Sequence, residues 1–441
     1  MRIDTQDRTA ATEWISSRNH VMTVYRDIHG DDTGTHLFPL RYVRAGYESD
    51  LPPIMVLPGG PCIASVFPYE LLRRQMAAKG LDVVMMEHRG VGMSRTDARG
   101  DDLPLSAMQV DLVLDDMLAV LDHARIDTVV LYGSGYGAHL AQRFALAHPD
   151  RVHALVLDSP YTSVADEAAH QAAVRDLYWN GSAPHTHSVA AVLRRLVAQG
   201  VVASKETGPV VAAVHEYGGP GAVRELVDLL AMGRGQLTWT SIYQVITGAD
   251  SMDMTPFALE RDLVGRIGAT ELGMGSCADG RPMDATSLAG ERAKTYEPFT
   301  GHTINLEQDR AAITAPTLVL AGERDVVVPA ERSRLAAQQI PGARFVQLND
   351  VGHSMLDSHT QIALYAAWWA AAGQIDAFAE QDFSSFRRRT VNTVIASGIR
   401  VALLAERHSP VKLWAGRGRL SAGRFASADA RGTTARRRRS A

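Results

Sequence analysis

Residues 129–138, Val-Val-Leu-Tyr-Gly-Ser-Gly-Tyr-Gly-Ala, run from an apolar stretch through a glycine-rich corner into the start of a helix. A strand that turns this sharply leaves no room for side chains two residues either side of its central, strained residue, so the corner reads small-x-centre-x-small. Gly133 and Gly137 are the small residues, and Gly135 is therefore the centre, where corners of this kind carry a nucleophile. The register centred on Ser134 would put Tyr132 and Tyr136 at the crowded positions and is disfavoured on steric grounds. The same residues also fit a dinucleotide fingerprint, Gly133-x-Gly135-x-x-Ala138, with Asp158 about 20 residues on. That unit normally opens its domain, whereas two strand-and-loop units precede this corner and the rest of the chain supplies hydrolase parts, so nicotinamide or flavin binding is disfavoured; no cofactor and no metal are expected.

Short apolar runs recur at 54–57, 83–86, 128–132, 154–157, 317–321 and 345–348, with helical patterns between them. Strands alternating with helices predict a mostly parallel sheet covered on both faces. Ahead of them, 20–28 and 37–47 read as an antiparallel hairpin at the sheet edge, joined by the turn-rich 30–34. Between 161 and 311 the strand rhythm stops and amphipathic helical patterns such as 188–198 and 222–232 take over, broken at Tyr-Gly-Gly-Pro-Gly, 217–221. The expected organisation is a core at 1–160 and 312–373, an inserted helical domain at 161–311, and a basic extension at 374–441, disordered from about 417.

Net charge is −4 over 441 residues, which argues against a membrane or nucleic-acid partner for the body of the chain and suits a small-molecule or short-peptide substrate. Positive charge gathers instead after Gly373, at Arg387, Arg388 and Arg389 and in four arginines at 436–439, where an anionic surface or nucleic acid is the alternative to simple solvation. Two cysteines, Cys62 and Cys277, suit a reducing compartment. With a polar start and no apolar stretch of ~18 residues, the expected location is cytoplasmic.

Four further segments belong with the corner. Pro58-Gly59-Gly60-Pro61 follows an apolar run, and its glycines let a backbone N–H turn toward a substrate oxygen. Pro61 has no N–H, so Gly59 and Gly60 are the candidate donors, with Tyr136 N–H from the helix start; Gly60 and Tyr136 form the expected oxyanion hole. Glu87 and Arg89, after the next run, read as buried braces. Asp325 ends the run at 317–321, where an acid can orient a histidine, and His353 follows the last run. Nucleophile position, acid and histidine thus occur in the chain order of one known catalytic arrangement.

Together these motifs resemble the α/β-hydrolase superfamily, and within it the proline iminopeptidase and tripeptidyl aminopeptidase branch, over about 21–373. The resemblance implies an α/β-hydrolase fold, hydrolysis of peptide or acyl bonds, Asp325 and His353 as the acid and base of a triad, and the helical insertion as a substrate-selecting cap. It also implies acidic cap residues that bind a free amino terminus. Glu206, Glu216, Glu225, Asp228, Asp250 and Asp253 are available, with Glu216 and Glu225 the substrate-binding candidates.

The sequence departs from the family at Gly135, where the serine belongs, at Pro58 before the glycines, and at Cys62 in place of the final glycine. Without an Oγ no acyl-enzyme forms; triad enzymes lacking one member keep only ~10³–10⁴-fold catalysis over water. Three readings are open: a peptidase-like hydrolase whose serine was replaced, a general-base enzyme (lyase, cyclase or cofactor-free oxygenase) using His353 and Asp325, and a non-catalytic ligand binder.

Overall fold

A computed structural model describes residues 8–30, 36–47, 49–250, 256–383 and 391–408. Its centre is an eight-stranded sheet: β1 (Met22–Asp27), β2 (Leu37–Ala45), β3 (Ile54–Leu57), β4 (Val83–Met86), β5 (Val129–Ser134), β6 (Val152–Asp158), β7 (Thr317–Gly322) and β8 (Arg344–Leu348), in the order β1-β2-β4-β3-β5-β6-β7-β8. Strands β3 to β8 pair in parallel, and β1 and β2 form the antiparallel edge that joins β4. The hairpin's turn at 31–35 lies outside the described residues.

The central strands are buried on both faces, as continuous apolar runs in a parallel sheet require. Alternate residues then serve opposite layers. Leu57, Leu131 and Leu155 pack with Met117 and Phe144 on one side, while Val56, Val130 and Val156 pack with the helix Thr360–Ala371 on the other. Each strand therefore ends at the same rim of the sheet with its direction fixed by two apolar layers. At that rim Gly60 follows β3, Gly135 is the single residue between β5 and the next helix, Asp325 follows β7 and His353 follows β8.

Between β6 and β7 the chain forms helices, among them Val164–Arg175, His187–Ala198, Ser204–Ala231 and Gln236–Asp250. They close on a third apolar cluster containing Val174, Leu193, Leu226 and Trp239. The helix Ser204–Ala231 is kinked where the sequence carries Gly-Gly-Pro: Gly219 has φ 78° and ψ 176°, and Pro220 follows. Two helices, Ile375–Ala379 and Val391–His408, lie within the stretch read as an appended basic extension. The second sends Ile399 and Leu403 into the third cluster, so this part of the extension is packed structure. The tail beyond 408, including the stretch expected to be disordered from about 417, lies outside the described residues.

Candidate active site

The corner's glycines are dictated by space. A Cβ at Gly133 would lie 2.3 Å from the Gly137 carbonyl oxygen, and one at Gly137 would lie 2.0 Å from the Leu57 carbonyl oxygen. Gly135 sits between them at φ 51° and ψ −110°, a backbone that L side chains rarely adopt, and Tyr136 begins the helix Tyr136–Ala147. Ser134, the centre of the disfavoured register, is fully buried and donates its hydroxyl to Ser354 Oγ at 2.8 Å. Ser354 in turn donates to Asp357 Oδ2 at 2.9 Å, so Ser134 is held within the core.

His353 comes from the loop after β8 and Asp325 from the loop after β7. The His353 Nδ1–H donates to Asp325 Oδ2 at 3.0 Å, while Asp325 Oδ1 accepts the N–H groups of Val327 and Val328, both at 2.8 Å. That pairing aims Nε2 at the corner. A Cβ built on Gly135 would stand 3.3 Å from His353 Nε2 and 3.8 Å from Gly59 Cα. The Tyr136 N–H belongs to the first helical turn and has no intrahelical acceptor. Gly60, next in the chain to Gly59, has φ 54°, and a Cβ there would face Cys62 Sγ at 3.4 Å. The Tyr136 ring is fixed by a hydrogen bond between its hydroxyl and His88 Nε2 at 3.0 Å, and burial lowers His88 to a pKa of about 4.

Three carboxylates surround His353. Burial alone would lower its pKa, but the charge and hydrogen bond of Asp325, then the charges of Glu216 and Asp158, lift it to about 9. Glu216 arrives from the kinked insertion helix. Its Oε1 accepts the His353 backbone N–H at 2.5 Å, and its Oε2 is buried without a hydrogen-bond partner among the described residues. Burial and the neighbouring Asp325 charge raise Glu216 to about 7 against the opposing pull of His353. Gly352 makes this approach possible, since a Cβ there would lie 2.1 Å from Glu216 Oε1. Asp158, at the end of β6, accepts the Tyr132 hydroxyl at 2.9 Å and the N–H groups of Met355 at 3.0 Å and Leu356 at 2.9 Å; burial raises it to about 6. Fully buried and bonded in this way, Asp158 is not available to hold the ribose of a dinucleotide.

The structure thus brings Gly135, His353 and Gly59 together, with Tyr136 next in the chain to Gly135, Asp325 behind the His353 ring and Glu216 on the His353 backbone; of the two candidate donor glycines it is Gly59, not Gly60, that is seen against the corner. Glu225 is elsewhere: it forms an ion pair with Arg407 of the C-terminal helix at 3.3 Å. Glu206 accepts the Trp239 indole N–H at 2.9 Å, and Asp228 is exposed. Asp253 and the side chain of Asp250 lie outside the described residues. The braces are where the sequence places them. Glu87 is buried and accepts the N–H groups of Ser65 at 2.6 Å and Val66 at 2.9 Å, and buried Arg89 grips Asp116 with two bonds at 2.7 and 2.8 Å. Sequence reasoning missed the support beneath His353 from Asp158 and Asp357; its available signal was the position of Asp158 at the end of the strand next to the corner.

Residues 52–191 match a family model described as alpha/beta hydrolase fold, and residues 295–367 match one described as TAP-like protein. The chain is an α/β-hydrolase-fold protein. Rhodomycin D methylesterase DauP of Streptomyces sp. (strain C5) and rhodomycin D methylesterase DnrP of Streptomyces peucetius are each 25% identical to it over 316 residues, covering 69% of this chain and 85% of the relative. Among solved structures, proline iminopeptidase of Mycobacterium smegmatis aligns over 81% of this chain and 100% of its own length, with 16% identity and a TM-score of 0.49.

Proposed function

We propose that this chain binds an ester or amide carbonyl at the Gly135 corner and hydrolyses it with water in place of a serine nucleophile. One observation carries the reading: the space a nucleophile would fill lies 3.3 Å from His353 Nε2, on the side of the ring opposite Asp325. In the step we envisage, neutral His353 takes a proton from a water as its oxygen attacks the carbonyl carbon. The oxyanion that forms is held by Gly60 N–H and Tyr136 N–H. His353 then returns the proton to the departing alkoxide or amine as the carbonyl re-forms. Because His353 is lifted to about 9, its base form grows as pH rises through the neutral range, and the rate should rise with it.

The resemblance to proline iminopeptidases and tripeptidyl aminopeptidases supports a peptide-derived acyl group, with Glu216 as the carboxylate nearest a free amine. The curated methylesterase relatives support adding methyl esters to the substrates tried. A second reading is favoured by the same raised pKa. At neutral pH His353 is a cation beside two N–H donors, an arrangement that binds an anion or donates a proton, as a non-hydrolytic enzyme or a ligand binder requires.

The test assays the unmodified chain and Gly135→Ser against methyl and aryl esters and aminoacyl arylamides, with His353→Ala in each background. Hydrolysis that climbs with pH, is multiplied by the serine and disappears without His353 supports the proposal. Turnover of another kind that depends on His353, with the serine variant inert, establishes the second reading and overturns the first.

A further inference from the structure

A cavity of about 170 Å³ lies between the loop after β3 and the insertion. Gly60 lines it on the sheet side, one residue from Gly59, whose Cα lies 3.8 Å from where a Gly135 side chain would begin. Two short insertion helices, Gly265–Thr270 and Ser287–Ala293, contribute Gly268, Ala269 and Arg292, and Arg261 comes from the segment before the first of them. Main-chain pairing fixes these walls to each other: the Ala64 N–H donates to the Ala258 carbonyl at 3.0 Å, and the Glu260 N–H to the Cys62 carbonyl at 2.9 Å. The cavity is therefore built from both halves of the site.

Its charge is one-sided. Arg261 and Arg292 line it, and no aspartate or glutamate is among its lining residues. The acids beside them in the chain are engaged by other groups. Glu260 accepts Arg8 and the Gly92 N–H, each at 2.7 Å, Asp262 takes two bonds from Arg95 at 2.7 and 2.6 Å, and Glu291 pairs with Lys294 at 2.7 Å. Burial pushes the Cys62 thiol up, and the charges of Arg261 and Arg292 both oppose it, helped by a hydrogen bond from Arg261. Arg261 also acts on the Tyr217 hydroxyl, against burial and the charge of Glu216. Its charge thus reaches the β3 loop and the bent helix alike. A guanidinium has five N–H donors in a fixed fork, which lets one arginine serve a protein partner and an anion together. Two such forks around so small a space suit a carboxylate, the planar anion they bind bidentately. A cavity of about 150 Å³ accommodates a benzene-sized group, so this one has room for a short chain and its terminal carboxylate.

We propose that the cavity between Gly60, Arg261 and Arg292 seats a carboxylate carried on the acyl chain of the substrate, so that the compound presented to the Gly135 corner is a half-ester or half-amide of a short dicarboxylic acid. The proposal rests on the hydrolytic reading for its reaction and on the cavity alone for its ligand. In that reaction the departing group faces His353, which returns the proton to it, and the space past Gly59 falls to the acyl chain. The corner takes one carbonyl while the arginines hold the far end. A neutral acyl chain leaves the two guanidinium groups without an anion and binds less well.

The experiment is calorimetric titration of the full chain with glutarate, butyrate and inorganic phosphate. It is repeated on Arg261→Gln, Arg292→Gln and the charge-keeping Arg292→Lys, with circular dichroism to verify the fold. Glutarate is expected to bind about tenfold or more tighter than butyrate, to lose that advantage in both glutamine variants and to keep part of it in Arg292→Lys. Monomethyl and dimethyl glutarate are then compared as substrates of the unmodified chain and of Gly135→Ser, where the half-ester should have the higher kcat/KM by a similar factor. Equal binding of glutarate and butyrate overturns the proposal, as does a glutarate preference that survives both glutamine changes. Phosphate binding as tight as that of glutarate makes the cavity a general anion site and overturns the carboxylate assignment. Arginine-dependent glutarate binding without hydrolysis of either ester supports the carboxylate seat and removes the hydrolytic reading, whereas hydrolysis that prefers the neutral diester keeps that reading and removes this proposal.

Discussion

The two halves of the site are built by different means. The sheet half, comprising the Gly135 corner, the Pro58–Pro61 loop and the acid and histidine loops, sits on strand ends clamped between two apolar layers, with buried Asp158 and Glu87 tying its loops down. The insertion half reaches the site through one helix, bent at Gly219, that delivers Glu216 to the His353 backbone. The first half is over-determined, with buried hydrogen bonds and two apolar layers around Gly135. The second half depends on a single bend.

The largest test of that contrast is Gly135→Ser. If the sheet half is as complete as its geometry indicates, the variant should gain on the order of 10³-fold or more in ester hydrolysis over the unmodified chain, measured as kcat/KM. It should also lose roughly 1–3 kcal/mol of stability in urea denaturation, because a serine is strained at φ 51°. Next is Gly137→Ala. Its Cβ would lie 2.0 Å from the Leu57 carbonyl oxygen, so the backbone must move, and a loss of about 3 kcal/mol or more in the same titration is expected.

The insertion half is probed by Glu216→Gln, read by NMR titration of the His353 ring. Removing one of the charges that lift this group should move its pKa below about 9 and carry any pH–rate profile toward lower pH. The linked stability has a definite sign. A histidine raised from about 6.5 to about 9 stabilises the fold fully below the lower value, and that contribution fades as pH rises through the upper one. Denaturation at pH ~6.5 and ~9 should therefore show a smaller difference in the variant than in the unmodified chain. The smallest effect is expected for Arg407→Ala, which breaks a half-exposed ion pair with Glu225. It should cost between about 0 and 1 kcal/mol and leave catalysis unchanged, whereas a drop in aminoacyl substrate binding would return Glu225 to the site.

What the sequence makes legible follows the same division. Gly133 and Gly137 are readable because crowding forces glycine at fixed spacing, and Asp325 and His353 because each lies just past an apolar run that must be a strand. Glu216 stands out less from the other insertion carboxylates, because its place depends on a bend and on a contact with a residue 137 positions away. Glu225 looks equivalent in sequence, yet Arg407 takes it. The helix Val391–His408 was hidden by averaging: the arginines on either side dominate the composition of 374–441, while Ala396, Ile399 and Leu403 carry a buried stripe within it.

The bend at Gly219 has a mechanical corollary. A Cβ there would lie 2.2 Å from Arg324 Nη1, and four residues earlier His215 Nε2 meets the Arg324 carbonyl oxygen at 3.0 Å. Arg324 is the immediate neighbour of Asp325. The insertion and the acid loop are therefore meshed like teeth at the residue beside the one that holds His353. Lifting the insertion to admit a bulky molecule would have to unseat Arg324, and the tether on Asp325 would slacken with it. Any movement of that helix is thereby coupled, through Arg324, to the loop from which Asp325 reaches His353.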